Sequence, residues 1–200
     1  MKISYGITVH NEINELNKLL ELLTKNIDDE DEIVVCVDNS GQDQNPSLVE
    51  VFDRWSPNIV YQRKLDGNFA EHKNSVIENS SGDYIFHIDA DEYPNEILLQ
   101  QLKEILEIEG MKEEHIQRWG WRVTENGWVN YPDYQSRVFR RDSEIRWERP
   151  LHELIRGAKT YAHLPPHEEL SLYHPKTMQK QEAQNRFYNQ NFSREMNVRK

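Results

Sequence analysis

The first 110 residues alternate short apolar runs with segments whose apolar residues recur at helical spacing. Ile3 to Val9 is rich in β-forming residues and predicts a strand. Ile33 to Val37 is an uninterrupted apolar run, which is typical of a parallel strand buried on both faces. Ile59 to Tyr61 and Tyr84 to Ile88 predict two further strands. The pattern therefore predicts four strands in this part of the chain.

Helices are predicted between and after these strands. From Glu12 the apolar residues fall three or four apart, and Asn11 is a natural N-cap for that helix. The acidic run Asp28 to Glu32 is expected to be a solvated loop. The remaining helices are expected at Leu48 to Trp55, at Phe69 to Glu78 with Asn68 as cap, and from Pro94 to about Glu109. Strands alternating with helices imply right-handed crossovers, and so an α/β fold with a parallel sheet between helices.

The second half has a different pattern and a different charge. Trp119 to Thr124 and Gln135 to Arg140 predict strands, and the last 25 residues predict a polar helix. Residues 1–110 carry 8 basic and 23 acidic side chains, whereas residues 111–200 carry 16 basic and 12 acidic ones. No Pro/Gly-rich linker separates the halves. We therefore expect residues 1–200 to form a single domain with two functional zones.

Composition narrows the functional classes. Lys plus Arg is 24 and Asp plus Glu is 35, and the formal charge of −11 argues against non-specific nucleic-acid binding. The single Cys36 excludes an intramolecular disulfide framework. The longest aliphatic run, Ile33 to Val37, is far shorter than the roughly 20 residues of a membrane helix, and the N-terminus lacks a signal-peptide pattern. These features predict a cytoplasmic protein without a transmembrane segment.

Candidate chemistry lies where the predicted strands end, because ligands of parallel sheets bind outside the carboxyl ends of the strands. That rule selects three segments: His10 to Glu12, Asp38 to Asp43 and Asp89 to Glu92. Asp38 can accept hydrogen bonds from a ribose hydroxyl or a base N–H, or it can simply form a turn.

Asp89 and Asp91 are the strongest local signal. Residues two apart in an extended segment point the same way, so the two carboxylates can converge. A divalent cation would relieve their repulsion, and oxygen ligands suit Mg²⁺ or Mn²⁺. The alternative is a solvated turn before the next helix, with Glu92 favoured near the helix N-terminus.

Seven segments stand in order along the chain: Ile7 to Glu12, Val35 to Asp43, Asn68 to Asn74, Asp89 to Asp91, Ser136 to Arg140, Arg146 to Glu153 and Leu172 to His174. Together they resemble family 2 of the glycosyltransferases with the nucleotide-diphospho-sugar transferase fold, called GT-A. Within that family they resemble the branch of lipopolysaccharide-core glucosyltransferases. The resemblance implies a mainly parallel sheet flanked by helices, with a small mixed second half. Residues 1–110 would bind the nucleotide-sugar, and residues 111–200 would bind the acceptor and hold the catalytic base.

The resemblance also implies roles for single residues. A nucleotide, with UDP favoured, would be held by His10, Asn11, Glu12, Asp38, Lys73 and Asp89. Lys73 stands where the family usually has Arg. A Mn²⁺ or Mg²⁺ ion bridging the diphosphate would be held by Asp89, Asp91 and His174, with His152, His163 and His167 as rivals for the histidine position. The metal would stabilise charge on the leaving diphosphate.

Family 2 enzymes invert the anomeric carbon, so one general base must deprotonate the acceptor hydroxyl. The resemblance implies that this base is Glu153, which follows His152 where the family has its catalytic acidic residue. Glu148 is its competitor. The family usually has Gly or a small residue where Arg149-Pro150 stand here, a departure that bears on the loop before Glu153.

The predicted reaction moves a sugar from a nucleotide-diphosphate sugar to a hydroxyl of a glycan or lipid-linked acceptor. Two alternatives stay open: a nucleotidyltransferase of the same fold, and a decayed nucleotide- or sugar-binding module. The first is disfavoured because His10 to Glu12 lacks a Gly-rich, basic loop for a triphosphate. The aromatic residues of the second half predict either a cleft that stacks on the acceptor sugar or a plain aromatic core. They are Trp119, Trp121, Trp128, Tyr131, Tyr134 and Trp147.

Overall fold

The computed structural model describes residues 1–40, 45–108, 114–124, 127–142, 144–165 and 167–192, with side chains described outside 114–133. The first half contains β1 (Ile3–Val9), α1 (Ile13–Asn26), β2 (Glu32–Asp38), α2 (Pro46–Trp55), β3 (Ile59–Arg63), α3 (Phe69–Glu78), β4 (Tyr84–Asp89), β5 (Tyr93–Pro94) and α4 (Glu96–Glu107). The second half contains β6 (Glu114–Thr124), β7 (Gly127–Arg140), β8 (Arg146–Glu148), β9 (Leu154–Arg156), β10 (Thr160–His163), a 3₁₀ turn (Glu168–Leu170), β11 (Leu172–Pro175) and α5 (Met178–Asn191).

Within the described ranges, nine strands form one sheet in the order β3-β2-β1-β4-β7-β6-β11-β5, and β10 also pairs with β6. Strands β3, β2, β1 and β4 are parallel neighbours. Strand β7 joins β4 in the antiparallel sense and opens the mixed half of the sheet. The α/β class, the mainly parallel sheet and the mixed second half are confirmed. Division of the chain into two functional zones stays a prediction.

The apolar alternation of the parallel strands explains the layers of helices. Ile3, Tyr5 and Ile7 face one side of the sheet and share a buried cluster with Leu16 of α1 and Leu102 of α4. Val34 and Cys36 of β2 face the other side of the sheet and pack against Val76 of α3. Both faces of the strands are therefore covered, as the uninterrupted apolar run of β2 predicts. No helix of the described residues is long and apolar enough to cross a membrane.

The predicted solvated loop Asp28 to Glu32 is wrong at its end. Glu32 lies in β2 and is 5 % exposed. Its carboxylate accepts hydrogen bonds from Lys2 Nζ (2.6 Å), Ser4 Oγ (2.6 Å) and Ser81 Oγ (2.7 Å). Burial raises the pKa of Glu32, but these hydrogen bonds outweigh burial and lower it to about 2. In the sequence Glu32 looks like one more residue of a polar run, so its buried hydrogen bonds could not be predicted.

Two predicted helix starts also differ in the structure. Asn11 does not cap α1; Glu12 is the N-cap residue and makes no side-chain cap hydrogen bond. Pro94 pairs with Leu172 in the sheet instead of opening α4. Asn95 caps that helix by accepting a hydrogen bond from the Ile97 backbone N–H. The predicted Asn68 cap of α3 is confirmed, since its side chain accepts a hydrogen bond from the Glu71 backbone N–H at 3.1 Å.

Candidate active site

The carboxyl ends of β1, β2 and β4 meet at one edge of the sheet because these strands are parallel neighbours. Val9 pairs with Val37 in register, and Thr8 pairs with Asp89. The described parts of the three selected segments therefore converge on a cleft of about 1430 Å³. In the second segment these parts are Asp38 to Ser40, since Gly41 to Asp43 lie outside the described residues. This cleft brings together all of the predicted site residues, which are His10, Asn11, Glu12, Asp38, Lys73, Asp89, Asp91, Glu153 and His174.

The loop after β1 is shaped by Glu12. One of its carboxylate oxygens accepts hydrogen bonds from the backbone N–H groups of His10 (3.0 Å) and Asn11 (3.1 Å). That oxygen is engaged within the loop, so the structure gives Glu12 a loop-forming role beside the predicted nucleotide contact. The half-exposed ring of His10 lines the cleft.

Asp38 joins two loops and also faces the cleft. Its Oδ1 accepts hydrogen bonds from Ser40 N (2.9 Å), Ser40 Oγ (2.6 Å) and Leu65 N (3.0 Å). Its Oδ2 lies 3.4 Å from His10 Nδ1. Oδ1 therefore forms the predicted turn, and contact of Asp38 with a ribose or a base stays a prediction.

Asp89 is held by two cations. Its Oδ1 lies 3.2 Å from Lys73 Nζ, and its Oδ2 accepts a 3.1 Å hydrogen bond from Arg137 Nη2. Burial raises the pKa of Asp89, but the charges of Lys73 and Arg137 outweigh burial and hold it well below its usual range. Both oxygens are therefore ionised acceptors already engaged by protein donors, an arrangement suited to positioning more than to free coordination.

Glu92 and Arg137 form a buried support that sequence reasoning missed. Arg137 Nη2 donates to Glu92 Oε1 at 2.6 Å, and the Asp89 backbone N–H donates to Glu92 Oε2 at 3.1 Å. Glu92 is 3 % exposed, so it is not the solvated helix-start carboxylate of the simpler interpretation. Asp89 and Glu92 are three residues apart, and this spacing is the sequence signal for the hydrogen bond from the Asp89 backbone N–H to the Glu92 carboxylate.

Asp91 and His174 are the residues that fit a metal ion. His174 Nε2 lies 3.2 Å from Asp91 Oδ2 and has no aligned hydrogen bond among the described residues. Such a buried, unsatisfied imidazole nitrogen facing a carboxylate is a suitable donor pair for Mn²⁺ or Mg²⁺. The described residues contain no group of three or more metal-ligating side chains. A site of this kind would need further oxygens from a bound diphosphate and water.

The structure separates His174 from its predicted rivals. His163 contacts the Tyr134 ring, with centroids 4.4 Å apart, and His167 is the N-cap residue of the 3₁₀ turn. His152 lines the cleft beside Tyr188. None of the three makes an ion pair with Asp91 in the described part of the chain, whereas His174 does.

Glu153 lines the cleft, and its competitor Glu148 does not belong to the described lining. Glu148 is 63 % exposed and its carboxylate lies 4.0 Å from Arg156 Nε. The side chain of Glu153 is 16 % exposed, and its Oε1 lies 3.7 Å from Lys73 Nζ. Lys73 Nζ therefore lies between the carboxylates of Asp89 and Glu153.

The loop before Glu153 keeps a backbone shape that favours glycine. Arg149 has a φ of 78° and His152 a φ of 55°. The departure from the family pattern at Arg149 therefore puts a bulky side chain into the left-handed region, which costs about 1–2 kcal/mol. The Pro150 carbonyl accepts a 3.0 Å hydrogen bond from the Phe69 N–H, which joins this loop to the start of α3.

Beneath the charged groups lies a layer of buried rings. His87 is fully buried and contacts Trp147 edge-on at 5.5 Å, and burial lowers the pKa of His87 to about 4. Lys73 Nζ lies 4.8 Å above the Trp147 ring centroid. The Asn74 side chain fixes the position of Trp147. Its amide N–H donates to the Trp147 backbone carbonyl at 2.9 Å, and its amide oxygen accepts from the Trp147 backbone N–H at 2.8 Å.

Two predicted members of the aromatic acceptor cleft have described side chains, and both line the cleft. Trp147 is 4 % exposed and packs in the buried core at the cleft wall, whereas Tyr134 is 39 % exposed. Their contact with an acceptor stays a prediction. The other members lie outside the described side chains, namely Trp119, Trp121, Trp128 and Tyr131.

Comparison with known proteins gives a consistent result. Residues 4–183 match the model of glycosyl transferase family 2. A poly(ribitol-phosphate) beta-glucosyltransferase of Bacillus spizizenii is 27 % identical over 96 residues, which is 46 % of this chain and 15 % of that protein. Branch membership within the family, predicted above as lipopolysaccharide-core, stays a prediction.

Crystal structures of S. aureus TarS share the fold. One matches with a TM-score of 0.63 and 17 % identity, covering 88 % of this chain and 37 % of that one. TarS 1-349 in complex with UDP-GlcNAc matches with a TM-score of 0.63 and 19 % identity over 88 % of this chain and 59 % of that one. The chain thus spans well under two-thirds of the length of these relatives. With the family match covering most of the sequence, the chain belongs to glycosyl transferase family 2.

Proposed function

We propose that this chain transfers a sugar from a UDP-sugar to a hydroxyl of a glycan or lipid-linked acceptor, with inversion at the anomeric carbon and with Mn²⁺ or Mg²⁺. The observation that carries the proposal is the convergence of Asp38, Asp89, Asp91 and Glu153 in a single cleft. Support for the donor comes from TarS, whose structures are described as complexes with UDP-GlcNAc and with UDP. The predicted cytoplasmic location is untested.

Each group in the cleft has a role in this proposal. His10, Asn11, Glu12 and Asp38 would hold the nucleoside, and Asp89, fixed by Lys73 and Arg137, would orient the ribose. Asp91 and His174 would hold the metal, which would supply Lewis-acid stabilisation of the leaving diphosphate. Asp89, predicted above as a third metal ligand, has both oxygens engaged by Lys73 and Arg137. Glu153 would take the proton from the acceptor hydroxyl.

The test separates Glu153 from Glu148. The purified protein is incubated with UDP-sugars or GDP-sugars and Mn²⁺, and release of the nucleoside diphosphate is measured. Glu153→Gln is expected to lower turnover by about 10²–10⁴-fold, the usual worth of a general base, while leaving UDP affinity within about twofold. Glu148→Gln is the matched control and should keep wild-type turnover.

Three results would contradict this proposal. Equal losses for Glu153→Gln and Glu148→Gln would remove Glu153 from the base role. Nucleotide binding without turnover of any sugar donor, unaffected by Asp91→Asn, would favour a decayed binding module. Release of pyrophosphate from a nucleoside triphosphate would instead favour a nucleotidyltransferase.

A further inference from the structure

Lys180 is a third group on the Asp91 carboxylate, and neither the sequence patterns nor the family resemblance assigned it a role. Its Nζ lies 3.1 Å from Asp91 Oδ2 and 3.4 Å from Glu15 Oε1 of α1. The same Asp91 oxygen lies 3.2 Å from His174 Nε2. An ammonium and an unsatisfied imidazole nitrogen thus share one carboxylate oxygen.

The charge around Lys180 is set by Asp91 and Glu15. The Lys180 ammonium lies 3.1 Å from Asp91 Oδ2 and 3.4 Å from Glu15 Oε1, and a carboxylate this close favours the charged form of a lysine. Asp91 is 16 % exposed, so its charge is only partly screened by water. A divalent ion on Asp91 and His174 would therefore lie within a few ångströms of the ammonium and would repel it.

The helix that carries Lys180 lies on the surface of the fold, and none of the residues Met178–Asn191 is buried. Its contacts with the rest of the chain include the Lys180 ion pairs, a 2.5 Å hydrogen bond that Gln184 Oε1 accepts from Lys176 Nζ, and ring contacts of Tyr188 with Phe69 and His152. Lys180 and Gln184 both line the cleft, so a swing of the Lys180 side chain stays inside it.

We propose that Lys180 holds the cation position on Asp91 in the nucleotide-free protein and moves onto the diphosphate of the donor when metal and nucleotide bind. The inference rests on the proposed function, since it requires a diphosphate in the cleft. The compact ammonium on a flexible four-carbon stem suits such an exchange. Lys180 is thus a positioning group for Asp91 in one state and a donor-binding group in the other.

The exchange predicts opposite effects on two affinities. In Lys180→Met the competitor for Asp91 is gone, so Mn²⁺ alone should bind roughly three- to tenfold more tightly. UDP in saturating Mn²⁺ should bind roughly tenfold more weakly, as expected for the loss of one charge-assisted hydrogen bond. Lys180→Arg keeps the charge and should stay within about threefold of wild type for UDP.

Both affinities are measured by calorimetric titration of the full chain, with Mn²⁺ alone and then with UDP in Mn²⁺. Arg186→Met is the matched control, because Arg186 lies on the same helix, is 65 % exposed and pairs only with Glu182 among the described residues. It should change neither affinity. Thermal unfolding confirms that each variant is folded.

The outcomes separate the two proposals. Wild-type protein that binds no UDP with Mn²⁺ present overturns the proposed function, and the exchange with it. Wild-type protein that binds UDP while Lys180→Met binds it equally well overturns only the role of Lys180. A Lys180→Met variant that binds Mn²⁺ more weakly also overturns the exchange, because Lys180 would then support the metal site instead of competing for it.

Discussion

The substitution Glu92→Gln tests whether a buried ion pair supports the site. Glu92 is 3 % exposed and Arg137 is 7 % exposed, and their charged atoms lie 2.6 Å apart. Glutamine has the same shape but no charge, so buried Arg137 loses one ion-pair partner and keeps its pair with Asp89. Removing one partner of a buried pair costs about 3–5 kcal/mol. Because the glutamine carbonyl still accepts a hydrogen bond, we expect a loss of about 2–3 kcal/mol in the free energy of unfolding.

Urea-induced unfolding at neutral pH measures this loss. Glu21→Gln is the matched control, because Glu21 pairs with Lys25 on the exposed face of α1 and its loss should leave stability close to that of wild type. In an Arg137→Met background the effect of Glu92→Gln should shrink to about 1 kcal/mol or less, since the charge it leaves unpaired is gone. A Glu92→Gln protein as stable as wild type, or an undiminished effect in that background, would refute the reasoning.

Three further predictions concern the fold and the loops around the site. The pKa of Glu32 is lowered to about 2 on folding, so its stabilisation is present above its ordinary value of 4.5 and lost as the pH falls toward 2. The free energy of unfolding of Glu32→Gln should therefore fall less steeply than that of wild type between pH 5 and 3, and an identical pH profile would contradict this. Asn74→Ala leaves two buried backbone groups of Trp147 without partners and should cost about 3 kcal/mol in urea unfolding, whereas a change under about 1 kcal/mol would show that they find other partners. Arg149→Gly relieves the strain of the left-handed backbone and should stabilise the protein by about 0.5–1 kcal/mol. The control Arg156→Gly, in strand β9, should destabilise it. Thermal unfolding measures both, and a lower melting temperature for Arg149→Gly would contradict the prediction.

The parallel half of the fold follows from local patterns. The apolar run of β2 and the helical spacing after it are signals within single segments, and they specify which faces are buried. Helix starts are harder, because Asn11, Pro94 and Asn95 are all acceptable near a helix N-terminus. Only the pairing of Pro94 with Leu172 from the far end of the chain decides that α4 begins at Glu96.

The site shows the same division between local and distant contacts. Asp38, Asp89 and Asp91 could be predicted because they lie at or just after the ends of strands, and those ends share an edge of a parallel sheet. Arg137, Lys180 and Asn74 act through partners 45 to 165 positions away in the sequence, as in the Arg137–Glu92 and Lys180–Glu15 pairs. A single sequence contains no periodic signal for such contacts, so the groups that hold the carboxylates emerge only from the fold.

The most direct test of the account is calorimetric titration of UDP into the protein, with GDP as the competing nucleotide, in the presence and absence of Mn²⁺. We predict that UDP binds more tightly than GDP, that binding requires Mn²⁺, and that it is lost in Asp91→Ala. Failure of both nucleotides to bind with Mn²⁺ present, or UDP binding that is indifferent to the metal and to Asp91→Ala, would contradict the assignment of this cleft as a metal-dependent donor site.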